Sequence, residues 1–253
     1  MAIQLDFHSK RVFIAGGAVG LGRRIAAAFH ELGATVAING PSTTGVDRAI
    51  QELGGGVRLV RAPGDLTTAE ELGAVVRQAI EELKGLDVLV CGLASGSICP
   101  IDDITDEYWQ RVLTQGPKVA FFTAQACVPA LRLTRGAIVN VASMIALVGG
   151  PPGAVAYASA SGAMVQMSRM MALELADDGI RVNTVCPAWG EGDGAQTSAT
   201  LQEYICKRSP LRRAASADDC AAAVLYLAAP ISGCTTGAAL VADGGITSGH
   251  YVG

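Results

Sequence analysis

Apolar residues follow two rhythms along this chain. Short unbroken runs alternate with longer stretches whose apolar positions recur every three or four residues. The runs read as buried strands: Arg11–Ala15, Thr35–Asn39, Val57–Arg61, Asp87–Cys91, Gly136–Ala142, Ile180–Cys186 and a last short one, Ala239–Ala242. The periodic stretches read as helices: Gly22–Leu32, Ala69–Leu83, most of Ile104–Leu133, about Ala154–Leu175, and Asp218–Ala228. In Ala69–Leu83 the apolar stripe is Leu72, Val75, Val76, Ala79, Ile80 and Leu83. Alternation of this kind over the whole length predicts parallel βαβ units with right-handed crossovers. The expected fold is α/β and doubly wound, a single domain over residues 1–253 with about seven mostly parallel strands and helices on both faces. Ala188–Ser209, whose first half is rich in Gly, Ser and Thr, is expected to be a loop outside the last crossover, where it would cover a substrate.

Composition narrows the class. Hydrophobic residues make up 50% of the 253 and charged residues 17%, with a net charge of −4. So little charge argues against disorder, and no basic stripe exists to meet the phosphates of nucleic acid or an anionic membrane. No run of about 18 apolar residues occurs, so no membrane span is expected. Strands covered on both faces account for much of the apolar excess. The seven cysteines are widely spaced, with no Cys-x-x-Cys pair. They read as reduced thiols in a cytoplasm, mostly packing as small hydrophobes. Three scattered histidines and no clustered ligands predict no metal site.

The first strand is followed by Gly16-Gly17-Ala18-Val19-Gly20-Leu21-Gly22 and then a helix. Glycines in a first βα turn let the backbone turn tightly and approach a pyrophosphate, and the helix N-terminus offers it unpaired N–H groups. Gly16, Val19, Gly20, Leu21 and Gly22 are therefore candidate cofactor contacts in a dinucleotide-binding domain of Rossmann type. The same glycines would also serve a turn that binds nothing.

The spacing Gly16-x-x-x-Gly20-x-Gly22 resembles that of the short-chain dehydrogenase/reductase family, and the resemblance covers the whole chain. Asp65-Leu66 follows the third strand, where that family places an Asp and an apolar residue against the adenine. Ile138-Val139-Asn140-Val141-Ala142-Ser143 resembles the strand that leads to its catalytic serine, and Tyr157, 14 residues later, stands where its catalytic tyrosine does. Arg181 to Pro187 and Asp243-Gly244-Gly245 resemble its two C-terminal signatures. The resemblance implies NAD(P)(H) as cofactor and a small carbonyl or alcohol as substrate. It implies Ser143 and Tyr157 as catalytic residues, with Ser42, Cys91, Gly92 and Pro187 beside the cofactor.

The chain departs from that family at five places. Ser161 stands where the family has a lysine four residues after the tyrosine, and Gly116 where it has an asparagine. Cys91-Gly92-Leu93-Ala94 replaces Asn-Asn-Ala-Gly, Ala15 replaces a threonine, and Pro187-Ala188 begins a segment without the usual Pro-Gly-x-x-x-Thr. The lysine matters most. An unperturbed tyrosine has a pKa near 10, so about one in 1,000 is ionised at pH 7, and an ammonium that brought it near 7 would be worth about 4 kcal/mol. Alcohol oxidation needs tyrosinate as base, whereas carbonyl reduction needs neutral tyrosine as acid. Oxidation is thus expected to require high pH.

Gly40 stands at the tip of the second strand, where an acid would bind the ribose of NAD and repel a 2′-phosphate. With Ser42, Thr43 and Thr44 following as donors, the reading leans to NADP(H). In the resembled family the helix after the catalytic tyrosine also joins subunits, so the resemblance implies a homodimer or homotetramer, and the apolar excess of the chain fits that. Two alternatives stay open: a non-catalytic nucleotide- or partner-binding relative, and a lyase-type relative that uses Ser143 and Tyr157 without a nucleotide.

Overall fold

The computed structural model describes residues 5–92, 98–188 and 199–249. Seven strands form one sheet, all neighbouring pairs parallel: β1 (Arg11–Ala15), β2 (Thr35–Gly40), β3 (Leu59–Pro63), β4 (Val88–Cys91), β5 (Ala137–Val141), β6 (Arg181–Pro187) and β7 (Ala239–Ala242). Their spatial order is β3-β2-β1-β4-β5-β6-β7. The helices are α1 (Gly20–Glu31), α2 (Thr43–Glu52), α3 (Ala69–Leu83), α4 (Asp106–Leu113), α5 (Val119–Thr134), α6 (Val155–Glu174), α7 (Ala199–Arg208) and α8 (Ala217–Ala228). Strand residues alternate between two cores. Val12, Ile14, Val36, Val88, Val90, Val139 and Val185 face α1 and α8. Phe13, Leu89, Cys91, Ile138, Val182 and Cys186 face α3, α5 and α6. The doubly wound α/β sheet expected from the sequence is therefore present.

Four local expectations need correction. β3 starts two residues later than the apolar run suggests, because Gly54, Gly55 and Gly56 all adopt positive φ and leave Val57 98% exposed. α2 falls where no helix was expected. The Ser42 hydroxyl caps it by accepting from Gly45 N at 3.2 Å, and only Val46 and Ala49 are buried, too sparse a stripe to read in advance. The expected loop 188–209 contains α7 in its second half, while 189–198 lies outside the described residues. The helical stretch 104–133 divides into α4 and α5 at a π turn, Thr114–Lys118. Pro117 lacks the N–H an α-helix needs there, and Gly116 leaves helical geometry (φ −99°, ψ −107°).

The strand order reverses direction between β1 and β4. A parallel sheet opens a crevice at such a point, beyond the C-terminal ends of its strands. Gly16 and Gly92 sit at its two lips, with Gly92 N donating to Ala15 O at 3.3 Å.

Candidate functional site

The glycine turn has the geometry its sequence requires. Gly16 and Gly20 adopt φ of +76° and +52°, which other residues reach only with strain. A Cβ on Gly22 would lie 2.1 Å from Gly16 O, so α1 is pressed against the turn itself. Asn39, buried at the end of β2, holds the turn from below. Its Oδ1 accepts from Gly16 N at 3.1 Å and its Nδ2 donates to Ala62 O and Gly64 O at 2.9 and 3.0 Å. Sequence reasoning passed over Asn39; its only signal was a lone amide inside an apolar strand.

Helix α1 begins without a side-chain cap. Its N-cap residue is Val19, 62% exposed and unable to accept a hydrogen bond, whereas α2, α4 and α8 are capped by Ser42, Thr105 and Ser216. This 12-residue helix follows the glycine turn directly, and its start, which like those of α3 and α6 has no side-chain cap, suits an anionic group. The glycine cradle and this open end together fit a dinucleotide pyrophosphate. Leu21 is buried under the turn.

The other candidate contacts are placed unevenly. The Asp65 carboxylate is occupied by Thr67, accepting from its N and Oγ1 at 2.8 Å each, and Leu66 is buried in the core. Cys91 buries its side chain, Sγ lying 3.9 Å from Ala120 O, and burial pushes its thiol up to about 12. Only its backbone borders the crevice. Ser42 is exposed at the start of α2, and Pro187 is buried at the end of β6. Gly40 is buried beneath the turn, where a Cβ would come within 2.6 Å of Ala18 Cβ.

Ser143 and Tyr157 meet near the same end of the sheet. Ser143 follows β5 in extended conformation and is 9% exposed. Its Oγ accepts from Ile145 N at 3.5 Å and so caps a short 3-10 turn, Met144–Ala146. Tyr157 lies in the first turn of α6. Burial of the phenol is the largest influence on it and raises its pKa above 10; the Ser143 and Ser161 hydroxyls facing it pull the other way, and the Cys186 thiol adds a small upward push. Ser161 is 1% exposed, yet its Oγ has no partner at hydrogen-bonding geometry, so its approach to Tyr157 is loose. Among the described residues, no Lys or Arg is among the groups that shift Tyr157. Lys118 is exposed, and the Arg169 charge is felt by Cys186 instead. A phenol so placed is neutral at pH 7 and can donate its proton, but it is a base only in strong alkali.

Among the described residues no cluster of three or more His, Cys, Asp or Glu could hold a metal ion, and no helix is long and apolar enough to cross a membrane.

Residues 16–247 match the family model described as enoyl-(acyl carrier protein) reductase. The 2-(S)-hydroxypropyl-CoM dehydrogenase 3 of Xanthobacter autotrophicus is 31% identical over 94% of this chain and 96% of its own length. A short-chain type dehydrogenase/reductase from Mycobacterium marinum superposes with a TM-score of 0.90 at 29% identity, covering 97% of this chain and 98% of that one. A 7α-hydroxysteroid dehydrogenase solved with NADH and 7-oxo glycochenodeoxycholic acid gives a TM-score of 0.88 at 27% identity, covering 95% of each.

Proposed function

Because this chain belongs to the short-chain dehydrogenase/reductase family, we propose that it is an NAD(P)(H)-dependent reductase of a small carbonyl compound, with Tyr157 as the acid and no cation beside it. The observation that carries this reading is the Ser143–Tyr157 pair, set near the crevice that the open end of α1 also borders. When bound, the nicotinamide supplies the hydride. Gly16, Val19, Gly20, Leu21 and Gly22 receive the pyrophosphate, Asp65 and Leu66 lie on the adenine side, and Ser42, the backbone of Cys91 and Gly92, and Pro187 border the rest of the nucleotide. Ser143 Oγ hydrogen-bonds the substrate oxygen and fixes it against Tyr157. Tyr157 Oη donates its proton to that oxygen as negative charge develops there. The resulting tyrosinate has only neutral hydroxyls to stabilise it, so it recovers a proton quickly, and the reverse reaction waits for alkaline pH.

Four finer assignments follow. NADP(H) is favoured over NAD(H), because an acid at position 40 has no room against Ala18 and Ser42 to Thr44 lie exposed beside the tip of β2. A homodimer or homotetramer is favoured by the apolar groups that α5 and α6 leave exposed, Phe121, Phe122, Leu133, Met170 and Leu173. We place the protein in the cytoplasm on its unpaired cysteines, and read 188–209 as the segment over the substrate.

Calorimetric titration with NAD⁺, NADH, NADP⁺ and NADPH, followed by a panel of carbonyl substrates, tests the proposal. Tight binding of NADPH with turnover that Tyr157→Phe abolishes is the expected result. Failure to bind any of the four removes the reading, and binding without turnover over a broad panel points to a sensor.

A further inference from the structure

A polar pair lies buried where α6 packs on the sheet. Asn140 of β5 is 0% exposed, and its Nδ2 donates to Ser168 Oγ of α6 at 2.8 Å. Ser168, 1% exposed, donates its own proton to Met164 O, one turn back, at 2.7 Å. The lone pairs of its oxygen therefore face the strand, which fixes the Asn140 amide with Nδ2 toward the helix. The other half of that amide is unmatched. Among the described residues neither Asn140 Oδ1 nor Thr184 Oγ1, on its register partner in β6, has a hydrogen-bond partner. An unmatched buried acceptor costs stability that an apolar side chain of the same shape would keep. Stability alone thus does not account for Asn140.

The two ends of this bond sit on the two elements that carry the Ser143–Tyr157 pair. Ser143 follows Asn140 by three residues, just past the end of the same strand. Tyr157 precedes Ser168 by eleven, three turns back on the same face of α6. The start of α6 has no side-chain cap, and the face it buries includes small or pliable residues, Ala160, Met164, Met171 and Ala172. Such a surface resists sliding weakly, whereas a hydrogen bond is steep in distance and angle. We propose that Asn140 is a positioning residue: through Ser168 it sets the axial register of α6 against β5, and so holds the Tyr157 hydroxyl opposite Ser143 Oγ. Fixing the register of packed elements is the best-attested use of a lone buried amide. Its consequence for catalysis rests on the reading of Tyr157 as the acid.

Asn140→Leu combined with Ser168→Ala removes both partners at nearly constant shape. The urea midpoint of this double variant is expected to stay level or rise, because the change leaves no new polar atom unmatched. Activity is expected to move the other way. With NADPH and the best carbonyl of a substrate panel, kcat should fall about 100-fold, the loss that a misplacement of about 1 Å brings. KM for NADPH should stay within about twofold, since the nucleotide cradle lies on other elements. A kcat equal to that of the parent chain overturns the proposal. So does a midpoint that falls together with kcat, which would make the pair a structural contact alone. Should the double variant not fold, Ser168→Ala by itself breaks the bond; kcat is expected to drop with KM for NADPH held, and an unchanged kcat overturns the proposal. A parent chain that reduces no carbonyl removes the reductase reading without touching the register. Crystal structures of the parent and the double variant, superposed on the sheet, then decide. A shift of Tyr157 Oη relative to Ser143 Oγ by more than about 0.5 Å is expected, and coincident positions overturn the proposal.

Discussion

A carboxylate at the tip of β2 would hold the ribose of NAD, but Gly40 leaves no room for one. Its missing Cβ would sit 2.6 Å from Ala18 Cβ, with backbone on both sides fixed by Asn39. Gly40→Asp is therefore expected to weaken binding of both nucleotides rather than exchange one for the other, and to lower stability by about 1–3 kcal/mol through overpacking; calorimetry and denaturant melting check both effects. At Ser161 the expectation is the reverse. Ser161→Lys brings an ammonium within reach of Tyr157 and should lower its pKa. Alcohol oxidation at pH 7 to 8 is then expected to rise about tenfold or more, while Tyr157→Phe in the same background removes the gain. Ser161, Gly116, Ser143 and Tyr157 were all named through the family resemblance, and of these the structure brings Ser143 and Ser161 to Tyr157. What spacing does not contain is a neighbour. The press of Ala18 on Gly40, the unpartnered Ser161 hydroxyl and the Cys91 side chain turned into the core all depend on chain segments distant in sequence.

Elements with a strong apolar stripe were predicted almost to the residue. α3 has six apolar positions at helical spacing and occupies Ala69–Leu83, as its pattern predicts. α2 buries only two residues and α7 lies in a stretch that reads as loop, so periodicity had little to act on. The π turn was hidden for a different reason. Gly116-Pro117 breaks a helix without ending it, because α4 and α5 continue on either side. Element ends give two checks on the local physics. α8 starts in a capping box, Ser216 Oγ accepting from Asp219 N at 3.1 Å while the Asp219 carboxylate accepts from Ser216 N at 2.8 Å. Ser216→Ala should cost about 1 kcal/mol, read by chemical denaturation. At the start of α1, Gly22→Ala would drive a methyl into Gly16 O. It is expected to lose nucleotide affinity and, by overpacking, about 3 kcal/mol of stability.

The whole molecule explains its own composition. Seven parallel strands covered on both faces need few charges, and four of the seven cysteines, Cys91, Cys127, Cys186 and Cys220, are buried as small hydrophobes. Burial holds the thiols of Cys91, Cys186 and Cys220 up to about 12 and that of Cys127 well above the ordinary value near 9. Above pH 9 the unfolded chain therefore releases protons that the folded chain keeps, so stability is full below about pH 9 and is lost as pH rises toward 12. The slope should reach about 1.4 kcal/mol per pH unit for each such thiol, and urea midpoints from pH 7 to 10 check it. Within the folded range, pH also reports on the site. A tyrosine without a cation stays protonated across that window, so kcat/KM for carbonyl reduction with NADPH should be flat while that for alcohol oxidation climbs about tenfold per unit. The most direct test is the pH profile of carbonyl reduction from about pH 6 to 9. A plateau through pH 9 is the expected result, and a fall centred near pH 7, the mark of a tyrosine already paired with a positive charge, would contradict the account.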